Sequence, residues 1–176
     1  MGDVTVVAGI PIPSTSPVFL VIVAVHVVIS LSCVVCGIVA MLSRKLRGRH
    51  TDFGTLYFQS LAAVTLSAGV LSILRWPQDW ILFGLGVMAF AAAWLGRAAL
   101  RRRWAGWARV HIAGMGSSYI LLLTAFYVDN GKNLPVWRDL PTIAYWLVPA
   151  AIGLPPILYA MMSHPVVRAG DKDRGW

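Results

Sequence analysis

Five stretches of the chain, residues 17–42, 54–74, 80–96, 110–128 and 142–163, contain no Asp, Glu, Lys or Arg. No other feature limits the fold as much. A bilayer core about 30 Å thick is crossed by roughly 20 mostly apolar residues in helical form, and each stretch is close to that length. The third is the shortest, but Arg97 just beyond it can send its guanidinium back to the headgroups along an apolar stem. Unbroken apolar runs point to helices, because the strands of a membrane barrel alternate apolar and polar residues. The expected fold is all-α: a polytopic membrane protein, a bundle of five transmembrane helices. A short external segment over 1–16 precedes the transmembrane domain over 17–163, and a tail over 164–176 follows it.

Composition bears on the same question. Charged residues make up 12% of the 176, about half the share usual in soluble proteins, near 25%. All seven acidic residues are aspartates. A soluble helical protein would use Glu freely on its wet faces, and here there is little wet face to cover. Two cysteines do not make a disulfide framework. The first apolar run lacks a basic segment before it and is too long for the core of a cleavable signal peptide.

Charge placement sets the expected orientation. Arg44, Lys45, Arg47 and Arg49 follow the first run, Arg97, Arg101, Arg102, Arg103 and Arg109 lie between the third and fourth, and Arg168, Lys172 and Arg174 are in the tail. Only Arg75, Lys132 and Arg138 lie in the other connections, beside Asp79, Asp129 and Asp139, with Asp3 in the N-terminal segment. Cytoplasmic loops concentrate Lys and Arg, so the N-terminus is expected outside, the C-terminus in the cytoplasm, and the chain in the inner membrane. Trp76, Trp80 and Trp137 would ring the outer interface, Trp104 and Trp107 the inner one. The net charge of +8 thus reads as topology and contact with anionic lipid headgroups, not as nucleic-acid binding.

Polar side chains within the runs are the candidate sites. In "HVVISLSCVVCG" His26, Ser30, Cys33 and Gly37 share one helical face, with Cys36 beside them. That stripe should face other helices. Ser and Cys there suit close packing, and a disulfide between residues three apart on one helix is geometrically poor. Both thiols are also candidate metal ligands. His26, an ionisable group inside a span, is either a hydrogen-bonded structural residue or a ligand or proton-handling one. A second set lies near the inner face. His111 and Met115 are four apart on the fourth run with Tyr119 a turn on, His50 precedes the second run and His164 follows the fifth. Imidazole, thioether and thiolate together suit haem iron or copper. Gln59, Ser60, Thr65, Ser67, Ser117, Ser118 and Thr124 read as interhelix glue. Pro149, Pro155 and Pro156 should kink the last span and free carbonyls that need partners or line a cavity.

Two blocks carry a family resemblance. In "RGRHTDFGTLYF" they are Gly48, His50, Gly54 and Tyr57. In the longer block they are His111, Met115, Ser118, Tyr119, Thr124, Ala125, Phe126, Asn130, Leu134 and Pro135, closed by Trp146 and Pro149. Over about residues 45 to 160 the chain resembles the bacterial multi-pass membrane family catalogued as domain of unknown function 2306. The resemblance implies membrane residence and raises His50 and His111 over the other histidines. Cys33, Cys36 and His26 have no counterpart in its pattern.

Two function classes follow. One is an accessory or assembly subunit of a membrane complex, or a homo-oligomer, docking through small-residue faces. The other is a redox or ligand-binding protein holding haem b, copper or a quinone headgroup near the cytoplasmic face through His50 and His111. A transporter is disfavoured because no run carries a carboxylate for ion coupling and no inverted repeat is visible. The signatures of hydrolysis and phosphoryl transfer (HExxH, GxSxG, P-loop) are absent from the sequence.

Overall fold

The structure is a computed structural model that describes residues 5–7, 10–12, 16–45, 48–75 and 78–172. Asp3, Arg47, Trp76 and Arg174, which the sequence assigns to one face or the other, lie outside the described residues.

Helix α1 (Pro17–Leu42) starts with proline in its first turn, where the missing N–H costs nothing. It is followed by α2 (Arg49–Leu74), α3 (Trp80–Arg102), α4 (Trp107–Asn130), α5 (Thr142–Ser163) and the short α6 (Pro165–Lys172). Helices α1 to α5 are each long and apolar enough to cross a membrane.

Several boundaries differ from the expected ones. Helix α2 begins at Arg49 rather than residue 54, α3 continues through Arg101 and Arg102, and α4 begins at Trp107. Charge limits how much of a helix lies in hydrocarbon, whereas Arg is itself a good helix former, so the helices outrun the charge-free segments. The tail forms α6, started by His164: its Nδ1 accepts from the Val166 N–H, and its carbonyl accepts from the Val167 and Arg168 N–H groups. The N-terminal segment is not featureless either. Strands β1 (Thr5–Val7) and β2 (Ile10–Ile12) pair antiparallel, with Thr5 opposite Ile12 and Val7 opposite Ile10. β-Branched residues supply most of both strands, and the all-α expectation misses this hairpin.

The chain forms two compact units, residues 1–83 and 84–176, with α3 beginning in the first and continuing through the second. In the first unit α1 packs along α2. Buried there are Cys33, Gly37 and Ala40 of α1 and Tyr57, Leu61 and Val64 of α2. In the second unit α3 and α4 meet backbone to backbone at Gly96 and Gly114. A Cβ on Gly114 would lie 2.6 Å from the Ala92 carbonyl and 2.9 Å from the Gly96 Cα. The turn between them uses left-handed backbone at Arg103 (φ 50°) and Gly106 (φ 76°).

Helices α4 and α5 of that unit interlock through glycines, Gly116 against Ile157 and Gly153 against Ile120. Their connection is clamped by aromatic rings. Trp137 stacks on Tyr127 with centroids 3.7 Å apart, and the Tyr145 hydroxyl donates to the Trp137 carbonyl at 3.2 Å. Gly131 lies beneath the Tyr145 ring, where a Cβ would be 2.8 Å from it.

Candidate functional site

The carbonyls at the end of α1 would be orphans without help, and the basic loop that follows supplies it. Ser43 donates from its backbone N–H and its hydroxyl to the Val39 carbonyl. Lys45 Nζ donates to the Ala40 carbonyl at 3.0 Å and also to that of Met41. His50, in the first turn of α2, places Nδ1 at 2.8 Å from the same Ala40 carbonyl. A carbonyl only accepts, so Nδ1 of His50 carries the hydrogen, and in the neutral ring Nε2 is the nitrogen with the lone pair. His50 therefore ties the end of α1 to the start of α2.

His111 repeats this arrangement in the second unit. Its Nδ1 lies 3.1 Å from the Gly96 carbonyl on α3, above the Gly96–Gly114 contact. The glycines bring the backbones together and the imidazole spans the gap between them. Met115, four residues along α4, meets the same contact through its backbone N–H, 3.1 Å from where a Cβ on Gly96 would be. Tyr119 follows one turn later on α4. At the start of α4 the Arg103 guanidinium sits 4.9 Å over the Trp107 ring, a cation–π pair at the interfacial position expected of both.

His26 bonds to a side chain of the neighbouring helix. Its Nδ1 lies 2.8 Å from Ser67 Oγ on α2. The Ser67 hydroxyl proton is engaged with the Ala63 carbonyl (2.9 Å) and that of Val64 (3.0 Å). Ser67 thus accepts, His26 donates from Nδ1, and the polar stripe of α1 faces α2. Lower on that stripe Cys33 is fully buried, its thiol donating to the Tyr57 carbonyl at 3.6 Å, while Cys36 is partly exposed. Both thiols are free.

The residues expected near the inner face therefore fall in two places. His50, Cys33 and Cys36 belong to the first unit, with His50 and Cys33 bonded at different levels along α1; His111, Met115 and Tyr119 belong to the second, along α4. Among the described residues no group of three or more His, Cys, Asp or Glu side chains is placed to hold a metal ion. What sequence reasoning missed is how many polar groups bond to the backbone of a neighbouring helix. The i, i+4 spacing gave the face of each histidine, but nothing in the sequence marked Ala40 or Gly96 as the acceptor. Neither a family model, a curated protein nor a solved structure gives a significant match to the chain.

Proposed function

We propose that this protein is a non-catalytic multi-pass subunit of the inner membrane, serving the assembly or stability of a membrane complex, with its N-terminus outside and its C-terminus in the cytoplasm. One observation carries the reading: His50 and His111 each donate from Nδ1 to a backbone carbonyl of the adjacent helix. The side chains best suited to chemistry are thereby used to fix helix pairs. Crowding of cations into alternate connections supports the orientation. Extraction from native membranes in mild detergent, followed by affinity capture, tests it. One partner at fixed stoichiometry is the expected result, and repeated recovery of the chain without any other protein overturns it.

The same bonds favour a second reading, a ligand-binding or redox protein. Histidines that hold metals or haem iron commonly donate their other ring N–H to a carbonyl, which fixes the ring and aims the lone-pair nitrogen. The purified protein, oxidised and dithionite-reduced, distinguishes the two. A Soret band lost in His111→Ala or His50→Ala supports haem. A featureless spectrum with no iron or copper by elemental analysis removes the haem and copper versions, and titration with a quinone analogue then decides the remaining one.

A further inference from the structure

Two prolines in succession deprive α5 of something that one proline does not. Proline has no N–H, so Pro155 cannot bond the Ala151 carbonyl, nor Pro156 that of Ile152, as a residue four further along normally would. A carbonyl released in this way usually tightens onto the N–H three residues ahead. For Ala151 that residue is Leu154, which has one. For Ile152 it is Pro155, which has none. The Ile152 carbonyl thus lacks a helical donor at both spacings.

The residue is also uncovered. Ile152 is 71% exposed, and Leu154, Pro155, Pro156, Leu158 and Tyr159 around it are exposed as well. A helix crossing a bilayer has no water there to satisfy such a group, and irregular backbone is tolerated at that depth only where protein or a wet cavity covers it.

The complementary need stands on α2. Leu56, Gln59, Leu66, Val70 and Ile73 form one exposed stripe at helical spacing, and Gln59 is its only carboxamide. No hydrogen bond joins the Gln59 side chain to the described residues, although it carries two N–H donors. The depths agree. Gln59 lies about 15 Å from the start of α2, and Ile152 about 17 Å from the end of α5 at 1.5 Å per residue. Alternation of five spans puts those two helix ends on the same side of the membrane.

We infer that two copies of this chain associate in the bilayer, α2 of each against α5 of the other, with the Gln59 carboxamide donating to the bare Ile152 carbonyl across the contact. A two-fold axis makes the bond twice. The leucines of the α2 stripe then pack on Pro155 and Tyr159, which are exposed on the same face of α5 as Ile152. The inference rests on the five helices crossing a bilayer and not on the assembly role proposed above.

The full-length protein, labelled with donor and acceptor dyes in phosphatidylcholine–phosphatidylglycerol vesicles, tests it by energy transfer across a series of protein-to-lipid ratios. Gln59→Leu removes the bond from both copies and should weaken association about ten- to a hundredfold, since each hydrogen bond between membrane helices gives about three- to tenfold. Pro156→Ala restores an N–H to the Ile152 carbonyl, so adding Gln59→Leu to it should produce little further loss. Neither change disturbs folding, since one places Leu on an apolar stripe and the other removes a proline from a helix; far-UV circular dichroism checks this. In a background of Cys33→Ala and Cys36→Ser, Gln59→Cys on one tagged copy should cross-link to Ile152→Cys on a second. A monomer at every ratio, a dimer indifferent to Gln59→Leu, or a cross-link formed only within one chain carrying both cysteines overturns the inference. Capture of a different protein by a chain that stays monomeric overturns it too, and leaves the assembly reading standing.

Discussion

At the scale of single residues, three of the four histidines read as helix ties rather than as isolated ionisable groups. His50 shares the Ala40 carbonyl with Lys45, so removing its ring leaves a cap weakened and not abolished. His50→Ala should cost about 1 kcal/mol, the usual worth of one such bond, read as a lowered midpoint in a graded-detergent unfolding titration. Ser72 presents the reverse case. Its hydroxyl is buried without a partner among the described residues, and such a group carries the desolvation penalty with no return. Ser72→Ala should therefore leave stability unchanged or slightly raised in the same assay; a clear loss would mean that the hydroxyl is bonded. The thiols separate by burial: Cys36 should react with a membrane-permeant maleimide well before Cys33, which is fully enclosed. Equal rates in folded protein would contradict the packing of α1 on α2.

At the scale of elements, glycine decides how closely the helices of the second unit approach. Gly114 has no spare space, since the atoms facing it are backbone and cannot swing away. Gly114→Ala should cost about 1–3 kcal/mol, the range for forcing atoms into a filled site, and should release the His111 bond to Gly96 with it. Gly54 has nothing within 4 Å of where a Cβ would stand, so Ala there should carry no such penalty. These contacts explain what sequence could and could not show. The spans were visible because hydrocarbon excludes charge, and α1 and α5 end where the charge-free runs end. Helices α2, α3 and α4 run further because Arg49, Arg101, Arg102 and Arg109 continue a helix readily outside the bilayer. Helical spacing likewise placed His26, Cys33 and Gly37 on one face. It could not give Ser67 as the partner of His26, because that pairing depends on the register of α2 against α1, which no local pattern records.

At the scale of the whole molecule, five helices are long and apolar enough to cross a membrane, and an odd number of crossings would put the two chain ends on opposite sides of it. Reporter tags at residue 1 and at the C-terminus should therefore be protected from protease in opposite compartments of spheroplasts and inverted vesicles. Protection of both ends together would remove one crossing and, with it, the matched depth of Gln59 and Ile152. The hairpin of β1 and β2 went unforeseen at this scale because six residues of strand leave no long-range periodicity beside so much apolar helix.

The proline pair in α5 has a spectroscopic consequence as well. An amide carbonyl without a hydrogen bond keeps more double-bond character, so its stretching vibration lies at higher frequency than those of its helical neighbours. Carbon-13 placed at the Ile152 carbonyl would isolate that band, and its descent as vesicles are made more crowded with protein would record the moment a donor arrives.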